Sequence, residues 1–362
     1  MNKNKTIIIT SGGTGGHVFP GLTIANYLKK KKWNIQWIGT KNHIESILVP
    51  KNNIHIHFIN VTGFKEKTII KKIISIFQII YSYYKSKKII QKVKPNIILG
   101  MGGYISIPGI LAAWICKIPI IIHEQNVIAG LTNRFLSKIS NKILQGFPNT
   151  IPLAHLVGNP IRKEILSIPQ PKKRFKKRSG PIRILIIGGS QGTKFFNKIF
   201  PKIAKKLSNN FIFWHQIGTN TETVNNIKKK YIELCGKEKA NKYKITSFIH
   251  NISTAYAWAD LIICRSGAMT VSEITSIGLP ALFIPFLHKD KQQYLNAKFL
   301  ENIGAAKIIN QSKFTEKKII TILKKINRNT LLKMAQLAKK KHIKNSTEKI
   351  IKHIISISKQ SY

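Results

Sequence analysis

Acidic residues are scarce in this chain. Asp and Glu together number 13 against 61 Lys and Arg, so the formal net charge is +48 at pH 7. Such an excess favours anionic partners, namely nucleic acid, a phospholipid surface or a phosphorylated substrate. The lysines are spread along the whole chain among many Ile and Asn residues, however, and a compositional bias in the coding sequence would produce the same pattern. The charge alone therefore does not choose between these partners.

Cysteine is also rare, and long apolar runs are missing. Cys116, Cys235 and Cys264 lie far apart, so the sequence offers no disulfide framework and no metal-binding spacing, which favours a reducing compartment. There is no Asp-x-Asp pair suited to a divalent ion, and we expect chemistry with neither metal nor cofactor. No run is apolar enough to span a bilayer, and the lysine-rich start passes straight into a strand and a glycine loop, unlike a signal peptide.

The residues that are present predict two similar halves. A length of 362 residues with 43% hydrophobic content supports two cores. Each half begins with a predicted strand, a glycine loop and a helix, at residues 6–32 and 183–207. Alternating strands and helices are typical of an α/β fold with parallel, doubly wound sheets. We therefore expect two Rossmann-like domains that face a cleft, with a hinge at residues 157–162 and a linker at residues 168–181.

Two glycine loops follow strands of the first half. Residues 11–17 hold four glycines before a predicted helix, and residues 100–104 hold three. Glycines let backbone N–H groups at a helix N-terminus approach an anionic ligand. Residues 11–17 match neither the dinucleotide motif nor the P-loop, so a tight turn without a ligand remains the alternative. A third predicted strand ends in residues 123–126, His-Glu-Gln-Asn, and the carboxyl ends of parallel strands are where open α/β sheets bind ligands.

The stretch from Cys264 to Glu273 is the equivalent feature of the second half. An apolar run at residues 261–263 leads into a loop of small residues and then a helix. Glu273 is expected about one turn into that helix, where its carboxylate could accept hydrogen bonds from the two hydroxyls of a ribose. The alternative is an ordinary helix cap with an acid in the first turn.

Residues 68–93 predict a long helix of unusual composition. Isoleucines, Phe77 and three tyrosines are flanked by Lys71, Lys72, Lys85, Lys87 and Lys88. This combination favours a helix that lies on an anionic membrane surface. An ordinary packed helix with solvated lysines is the equally acceptable alternative.

Taken together, these motifs resemble those of the MurG family, the N-acetylglucosaminyltransferases of bacterial peptidoglycan synthesis. The resemblance covers nearly the whole chain in order and is carried by Gly12-Gly13-Thr14-Gly15-Gly16-His17, Gly100-Met101-Gly102-Gly103-Tyr104, His123-Glu124-Gln125-Asn126, Gly158-Asn159-Pro160, Gly188-Gly189-Ser190-Gln191-Gly192 and residues 264–273. It implies a GT-B fold with an acceptor-binding domain at residues 1–163, a donor-binding domain at 164–343 and a C-terminal helix, 344–362, that packs back on the first domain. Two sequence differences are that Asn42 replaces an expected acid and that Ile107 and Ile110 stand where relatives often carry glycine.

The resemblance also implies the reaction and its partners. GlcNAc would pass from UDP-GlcNAc to the MurNAc 4-hydroxyl of undecaprenyl-diphospho-MurNAc-pentapeptide, with inversion. The enzyme would work peripherally at the cytoplasmic face of the inner membrane, with an anionic membrane surface and other cell-wall synthesis proteins as partners. Nucleic acid is not expected, because aromatic stacking platforms do not accompany the lysines.

Site residues carry over by position in the same way. The residues implied for UDP-GlcNAc are Thr14, Gly15, Gly16, Asn126, Arg162, Ser190, Ile249, Ala268, Met269, Thr270, Val271, Ser272, Glu273 and Gln292; those implied for the acceptor and catalysis are His17, Tyr104 and Glu124. His17 is the candidate base, since histidine titrates near neutral pH. Glu124 is the rival base, and orientation of the acceptor diphosphate is the other role open to His17. A UDP-GlcNAc epimerase, or a transferase with another acceptor, is the competing function.

Overall fold

The computed structural model describes residues 5–61, 69–176, 178–189, 192–219, 223–286 and 290–359, except for the side chains of residues 69–73. The chain divides into two compact units. Unit 1 comprises Met1–Arg162 together with Ile343–Tyr362, and unit 2 comprises Lys163–His342.

Unit 1 contains a parallel sheet of seven strands in the order β3-β2-β1-β4-β5-β6-β7. The central strands are Ile-rich and buried on both faces, as expected where helices cover both sides of a parallel sheet. The strands are β1 (Thr6–Thr10), β2 (Asn34–Gly39), β3 (His55–Phe58), β4 (Ile97–Gly100), β5 (Ile120–Glu124), β6 (Lys142–Gln145) and β7 (His155–Leu156). Its helices are α1 (Gly15–Lys30), α2 (Glu45–Lys51), α3 (Ile69–Val93), α4 (Ser106–Ile115), α5 (Leu131–Leu136) and α16 (Ser346–Ile357).

Helix α16 belongs to unit 1 although it lies at the end of the sequence. Ile350, Ile351 and Ile354 are buried in the same core cluster as β1 and α1. Nearby, Gly158 has a φ of +82°, and a side chain there would collide with Ser346 and Ile343. The close approach of the chain to the start of α16 thus requires glycine at this position.

Unit 2 contains a parallel sheet of six strands in the order β10-β9-β8-β11-β12-β13. The strands are β8 (Ile182–Ile187), β9 (Phe211–Gln216), β10 (Lys244–Thr246), β11 (Leu261–Cys264), β12 (Ala281–Phe283) and β13 (Ala306–Ile308). The helices are α6 (Lys163–Leu166), α7 (Pro171–Phe175), α8 (Lys194–Lys206), α9 (Val224–Cys235), α10 (Lys237–Asn241), α11 (Ile252–Trp258), α12 (Ala268–Ile277), α13 (Gln292–Asn302), α14 (Glu316–Lys324) and α15 (Arg328–Lys340). Both sheets confirm the predicted class of two parallel α/β domains.

The predicted linker at residues 168–181 is wrong. The segment carries α7, and both Arg174 and Phe175 are buried in unit 2. The Arg174 guanidinium donates hydrogen bonds to the carbonyls of Ile277 and Gly278, the last carbonyls of α12. Prolines and lysines suggested a solvated linker, but the apolar parts of this segment pack and its arginine caps a helix.

Candidate functional site

The polar motifs of unit 1 meet at one edge of its sheet. Strands β1, β4 and β5 are neighbours and parallel, so their carboxyl ends lie side by side. The loop of residues 11–14 follows β1, the loop of residues 101–105 follows β4, and residues 123–126 end and follow β5. His123 and Glu124 are the last two residues of β5, so the predicted position of this motif at the carboxyl end of a parallel strand is confirmed.

A buried carboxylate orders the first glycine loop. Glu45 is fully buried, and its two oxygens accept hydrogen bonds from the backbone N–H groups of Gly13 and Thr40, each at 3.1 Å. A side chain at Gly12 would collide with this carboxylate and with Ile105. Gly12 is therefore required by the close packing of Glu45, and the loop conformation depends on both residues.

Thr14, Gly15 and Gly16 form the start of α1. Thr14 is the N-cap residue and is exposed, with an extended backbone, while Gly15 is the first helical residue. The helix thus begins five residues before Pro20, which the sequence had placed near its start. A helix N-terminus without side chains over it presents backbone N–H groups and a positive dipole to an anion.

His17 lies in the first turn of α1 and faces the second glycine loop. Its Nδ1 lies 3.0 Å from Oε1 of Gln125. Gly102 and Gly103 both have positive φ, and a side chain at Gly102 would come within 3.2 Å of the His17 ring. The glycines of the second loop therefore leave room for the imidazole of the first. Tyr104, half-buried at the end of this loop, packs against the core cluster that contains α4.

The carboxylate of Glu124 is surrounded by donors. One oxygen accepts from the backbone N–H and side-chain amide of Asn126, at 2.9 and 3.1 Å. The other accepts from the Asn133 amide at 2.8 Å and from the Gly130 backbone N–H at 3.2 Å. With four donors and only 2% exposure, Glu124 holds together the turn that presents Asn126.

Arg162 is the last residue of unit 1 before α6. Its guanidinium carbon lies 5.0 Å from the centre of the Phe19 ring, on α1. This cation–π contact places a positive charge beside α1.

In unit 2, β11 leads through a short loop into α12. Gly267 is the N-cap residue, and residues 268–277 form the helix. Of the predicted ligand residues, Ala268, Met269 and Val271 are buried, whereas Thr270 and Ser272 are partly exposed. The same end of the sheet carries the loop after β8, where Gly188, Gly189 and Gly192 are described and Ser190 lies outside the described residues.

Glu273 is the sixth residue of α12, so the prediction that it lies about one turn into the helix is confirmed and the alternative of a first-turn acid is wrong. It is 6% exposed, and its Oε2 accepts a hydrogen bond of 3.0 Å from the hydroxyl of Tyr256 on α11. A carboxylate has capacity for several donors. The position of Glu273 beyond the first turn excludes the alternative of a helix cap.

Two further predicted residues lie near other strand ends of unit 2. Ile249 is buried in the segment after β10. Gln292 begins α13, and its backbone N–H donates to the Asp290 carboxylate at 3.1 Å. The order β10-β9-β8-β11-β12 puts all of these loops along one edge of one sheet.

The sequence analysis did not identify four polar residues of these sites: Glu45, Gln125 as a partner of His17, Asn133 and Tyr256. For Glu45 the one signal in the sequence was the acid expected at position 42, which is Asn42 here, three residues before Glu45. The others act through contacts between residues distant in sequence, and no local signal marks them. Among the described residues, no three His, Cys, Asp or Glu side chains are grouped closely enough to hold a metal ion.

Comparison with known proteins matches both units to domains of one glycosyltransferase family. The model of the glycosyltransferase family 28 N-terminal domain matches residues 7–145, and that of its C-terminal domain matches residues 183–354. A relative from Buchnera aphidicola subsp. Schizaphis graminum is 57% identical and covers 98% of this chain and 99% of its own. One from Wigglesworthia glossinidia brevipalpis is 54% identical, covering 98% and 97%. Both are named UDP-N-acetylglucosamine--N-acetylmuramyl-(pentapeptide) pyrophosphoryl-undecaprenol N-acetylglucosamine transferase. The crystal structure of Acinetobacter baumannii MurG superposes with a TM-score of 0.81 at 34% identity, covering 97% of this chain and 99% of that chain.

Proposed function

This chain belongs to the MurG glycosyltransferases, and from that premise we propose that it moves GlcNAc from UDP-GlcNAc to the MurNAc 4-hydroxyl of undecaprenyl-diphospho-MurNAc-pentapeptide. The observation that carries the proposal is 57% identity, over nearly the full length of both chains, to a transferase named for this donor and acceptor. A UDP-GlcNAc epimerase would share the scaffold but would need no acceptor.

The donor is proposed to bind along the strand ends of unit 2. Glu273 accepts hydrogen bonds from the ribose hydroxyls, and backbone groups at Ile249 contact the uracil edge. The loop containing Ser190 and the first turn of α12, residues 268–272, hold the diphosphate through backbone N–H groups and the helix dipole. Gln292 binds hydroxyls of GlcNAc. The buried carboxylate of Glu273, already oriented by Tyr256, supports this arrangement.

The acceptor is proposed to bind at unit 1, near His17, Tyr104 and Glu124. Nε2 of His17 takes the proton of the acceptor hydroxyl as its oxygen forms a bond to C1 of GlcNAc. The bond between C1 and the diphosphate oxygen breaks on the opposite face, and UDP leaves with the electron pair, so the anomeric configuration inverts. The cationic side chain of Arg162 and the helix N-termini stabilise the charge on the leaving diphosphate.

His17 suits the role of base better than Glu124 does. Both Glu124 oxygens are engaged by backbone and amide N–H donors of Asn126, Gly130 and Asn133. Taking a proton would cost Glu124 at least one of these hydrogen bonds. Within the described part of the chain, the ring of His17 is hydrogen-bonded through Nδ1, to Gln125, and we infer that Nε2 is left for the acceptor.

The enzyme is also proposed to dock on the cytoplasmic face of the inner membrane through α3. Among the described residues no helix is long and apolar enough to cross a bilayer. One face of α3 exposes Ile74, Phe77, Tyr81 and Tyr84 at helical spacing, with each side chain at least 49% exposed. Lys85 and Lys88 continue the same exposed face by one turn. Apolar side chains followed by lysines suit the boundary between acyl chains and anionic headgroups.

The experiment is to incubate the protein with UDP-GlcNAc and a short-chain analogue of the lipid acceptor and to measure UDP release. We expect release only when the acceptor is present, with loss of donor affinity in Glu273→Ala. UDP-GlcNAc consumed without acceptor would favour an epimerase instead.

A second experiment tests the catalytic base. The variant His17→Ala should lower kcat by about 10²–10⁴-fold, and near-normal turnover in this variant would transfer the role to Glu124. The pH–rate profile of Glu124→Gln should keep the limb that is lost in His17→Ala.

A further inference from the structure

A chain of hydrogen bonds runs from His17 through the end of β5 to the backbone at Gly158. Nδ1 of His17 lies 3.0 Å from Oε1 of Gln125. The amide nitrogen of Gln125 lies 3.1 Å both from Nδ1 of His123 and from the backbone carbonyl oxygen of His123. Nε2 of His123 lies 3.0 Å from the carbonyl oxygen of Gly158. All four residues belong to unit 1.

Two backbone carbonyls fix the direction of this chain, because a carbonyl oxygen can only accept a hydrogen bond. The carbonyl of Gly158 requires a proton on Nε2 of His123. The carbonyl of His123 requires that the Gln125 atom beside it be the amide nitrogen, which settles the orientation of that amide. Oε1 of Gln125 must then face His17, and the partner atom, Nδ1 of His17, must be the donor.

His123 can take its place in this chain only while it is neutral. It is fully buried, and burial lowers its pKa to about 4, despite the hydrogen bond to Gly158 and the charge of Glu124. Its Nδ1 therefore carries a lone pair at neutral pH and accepts from the Gln125 amide. A second proton on His123 would face that amide nitrogen and disrupt the chain.

We propose that Gln125 and His123 are positioning residues that hold His17 as its Nδ1–H tautomer, with the Nε2 lone pair facing the acceptor hydroxyl. The tautomer assignment stands on the geometry of unit 1 alone, and only its catalytic use rests on the proposed function. A neutral imidazole exists in two tautomers, and only one presents a lone pair at a given nitrogen. In serine proteases, the wrong tautomer of the catalytic histidine costs about 10⁴-fold in kcat.

The packing around His17 fixes the orientation of its ring. A side chain at Gly102 would lie 3.2 Å from Cε1 of the His17 ring, and one at Gly103 would lie 3.6 Å from Cδ2. The two glycines therefore border the ring carbons on both sides of Nε2, whereas Gln125 holds the opposite nitrogen. The ring is held between the two glycine loops, with Nε2 on the side away from Gln125.

The test is long-range ¹H–¹⁵N correlation spectroscopy of histidine-labelled protein at about pH 8, where neutral imidazoles predominate. The chain has 11 histidines, and the His17→Ala variant identifies the His17 signals. We expect a protonated, pyrrole-type Nδ1 and a pyridine-type Nε2 for His17 in the unmodified protein. Gln125→Leu should shift His17 towards the other tautomer and lower kcat at least about tenfold, with little change in KM, because only the base is affected.

A second glutamine–histidine pair of unit 1 provides the control. Oε1 of Gln36 on β2 lies 3.0 Å from Nε2 of His57 on β3. Gln36→Leu should change the signals of His57 and leave both the His17 signals and kcat unaltered. A proton on Nε2 of His17 in the unmodified protein would overturn the proposal, as would an unchanged His17 tautomer in Gln125→Leu. If His17 has the expected tautomer but His17→Ala keeps normal turnover, the proposed role as base fails while the positioning chain stands.

Discussion

Tyr256 and Glu273 are 17 residues apart in sequence and joined by one buried hydrogen bond. The Tyr256 hydroxyl donates to Oε2 of Glu273 at 3.0 Å, so α11 orients the carboxylate on α12 that we assign to the ribose. A buried neutral hydrogen bond contributes about 1 kcal/mol, and one to a charged group somewhat more. Loss of this hydrogen bond should therefore have a measurable effect on donor binding.

Removing the Tyr256 hydroxyl should weaken donor binding without slowing the chemical step. In Tyr256→Phe we expect the KM for UDP-GlcNAc to rise about fivefold, since about 1 kcal/mol of orientation is lost, with kcat nearly unchanged. Tyr231→Phe is the matched control, because its hydroxyl bonds to His215 in the core of the same unit. Steady-state kinetics with varied UDP-GlcNAc gives the answer. An equal rise in KM in both variants would mean that the effect is general destabilisation.

The first glycine loop of unit 1, residues 11–17, should tolerate no side chain at Gly12. Gly12→Ala would push the Glu45 carboxylate away from the Gly13 backbone N–H and displace the loop next to His17. Displacements of about 1 Å at such loops cost about 10²-fold in rate, so kcat/KM should fall by that order. Gly109→Ala on α4 is the control, because a side chain there meets its nearest neighbour, Thr10, at an ordinary 3.4 Å. Similar kcat/KM values for the two variants would contradict the role given to Glu45.

The exposed face of α3 should determine vesicle binding. Phe77 is 67% exposed and Tyr81 is 65% exposed. Replacing both by Ser removes apolar surface that would transfer into lipid at about 25 cal/mol per Å², so the fraction that floats with anionic vesicles should drop at least about tenfold. Leu153→Ser is the control, since Leu153 is 97% exposed but lies outside α3. High salt should weaken binding of the unmodified protein, because lysines contribute. Equal flotation of the Phe77/Tyr81 variant and the control would rule out α3 as the docking surface.

Acid should destabilise unit 2 through His215. Burial lowers the pKa of His215 to about 3, well below its ordinary 6.5. Between pH 6.5 and pH 3, His215 is protonated in the unfolded chain but not in the folded chain. The free energy of unfolding is therefore highest above pH 6.5 and decreases as the pH falls through this range. At pH 5 this amounts to about 2 kcal/mol.

The variant His215→Phe should remove this dependence. Phe keeps the aromatic packing against Phe200, and its cost at pH 7.5 is the lost hydrogen bond to Tyr231. Between pH 7.5 and pH 5, the difference in unfolding free energy should move by about 2 kcal/mol in favour of the variant. Urea unfolding, monitored by tryptophan fluorescence, measures the free energy of unfolding of the unmodified protein and of the variant. Parallel pH dependences would show that another group is responsible.

Most of the architecture was predictable because it depends on local patterns. The Ile-rich runs of β1, β4 and β8 are each followed by a glycine loop, and the alternation of strands with helices indicates parallel sheets in both units. The short strands β6, β7 and β13 were missed, because Lys142, His155 and Lys307 leave them without the apolar run that marks other short strands. The basic segment around Arg174 was misread for a related reason. Its composition is that of a linker, and only the carbonyls at the end of α12 explain why it is buried.

By itself, the sequence determined the fold class, the family resemblance and the segments from which the site is built, because glycine loops and apolar periods are recorded in neighbouring residues. The tertiary structure alone decided which side chains bond across those segments. Glu45 reaches Gly13, Tyr256 reaches Glu273, and Gln125 joins His17 to His123 only because parallel strands bring their carboxyl ends to one edge. Hydrogen-bond direction follows from the positions of donors and acceptors in space, which is why the tautomer of His17 could be inferred from the fold and from no stretch of sequence.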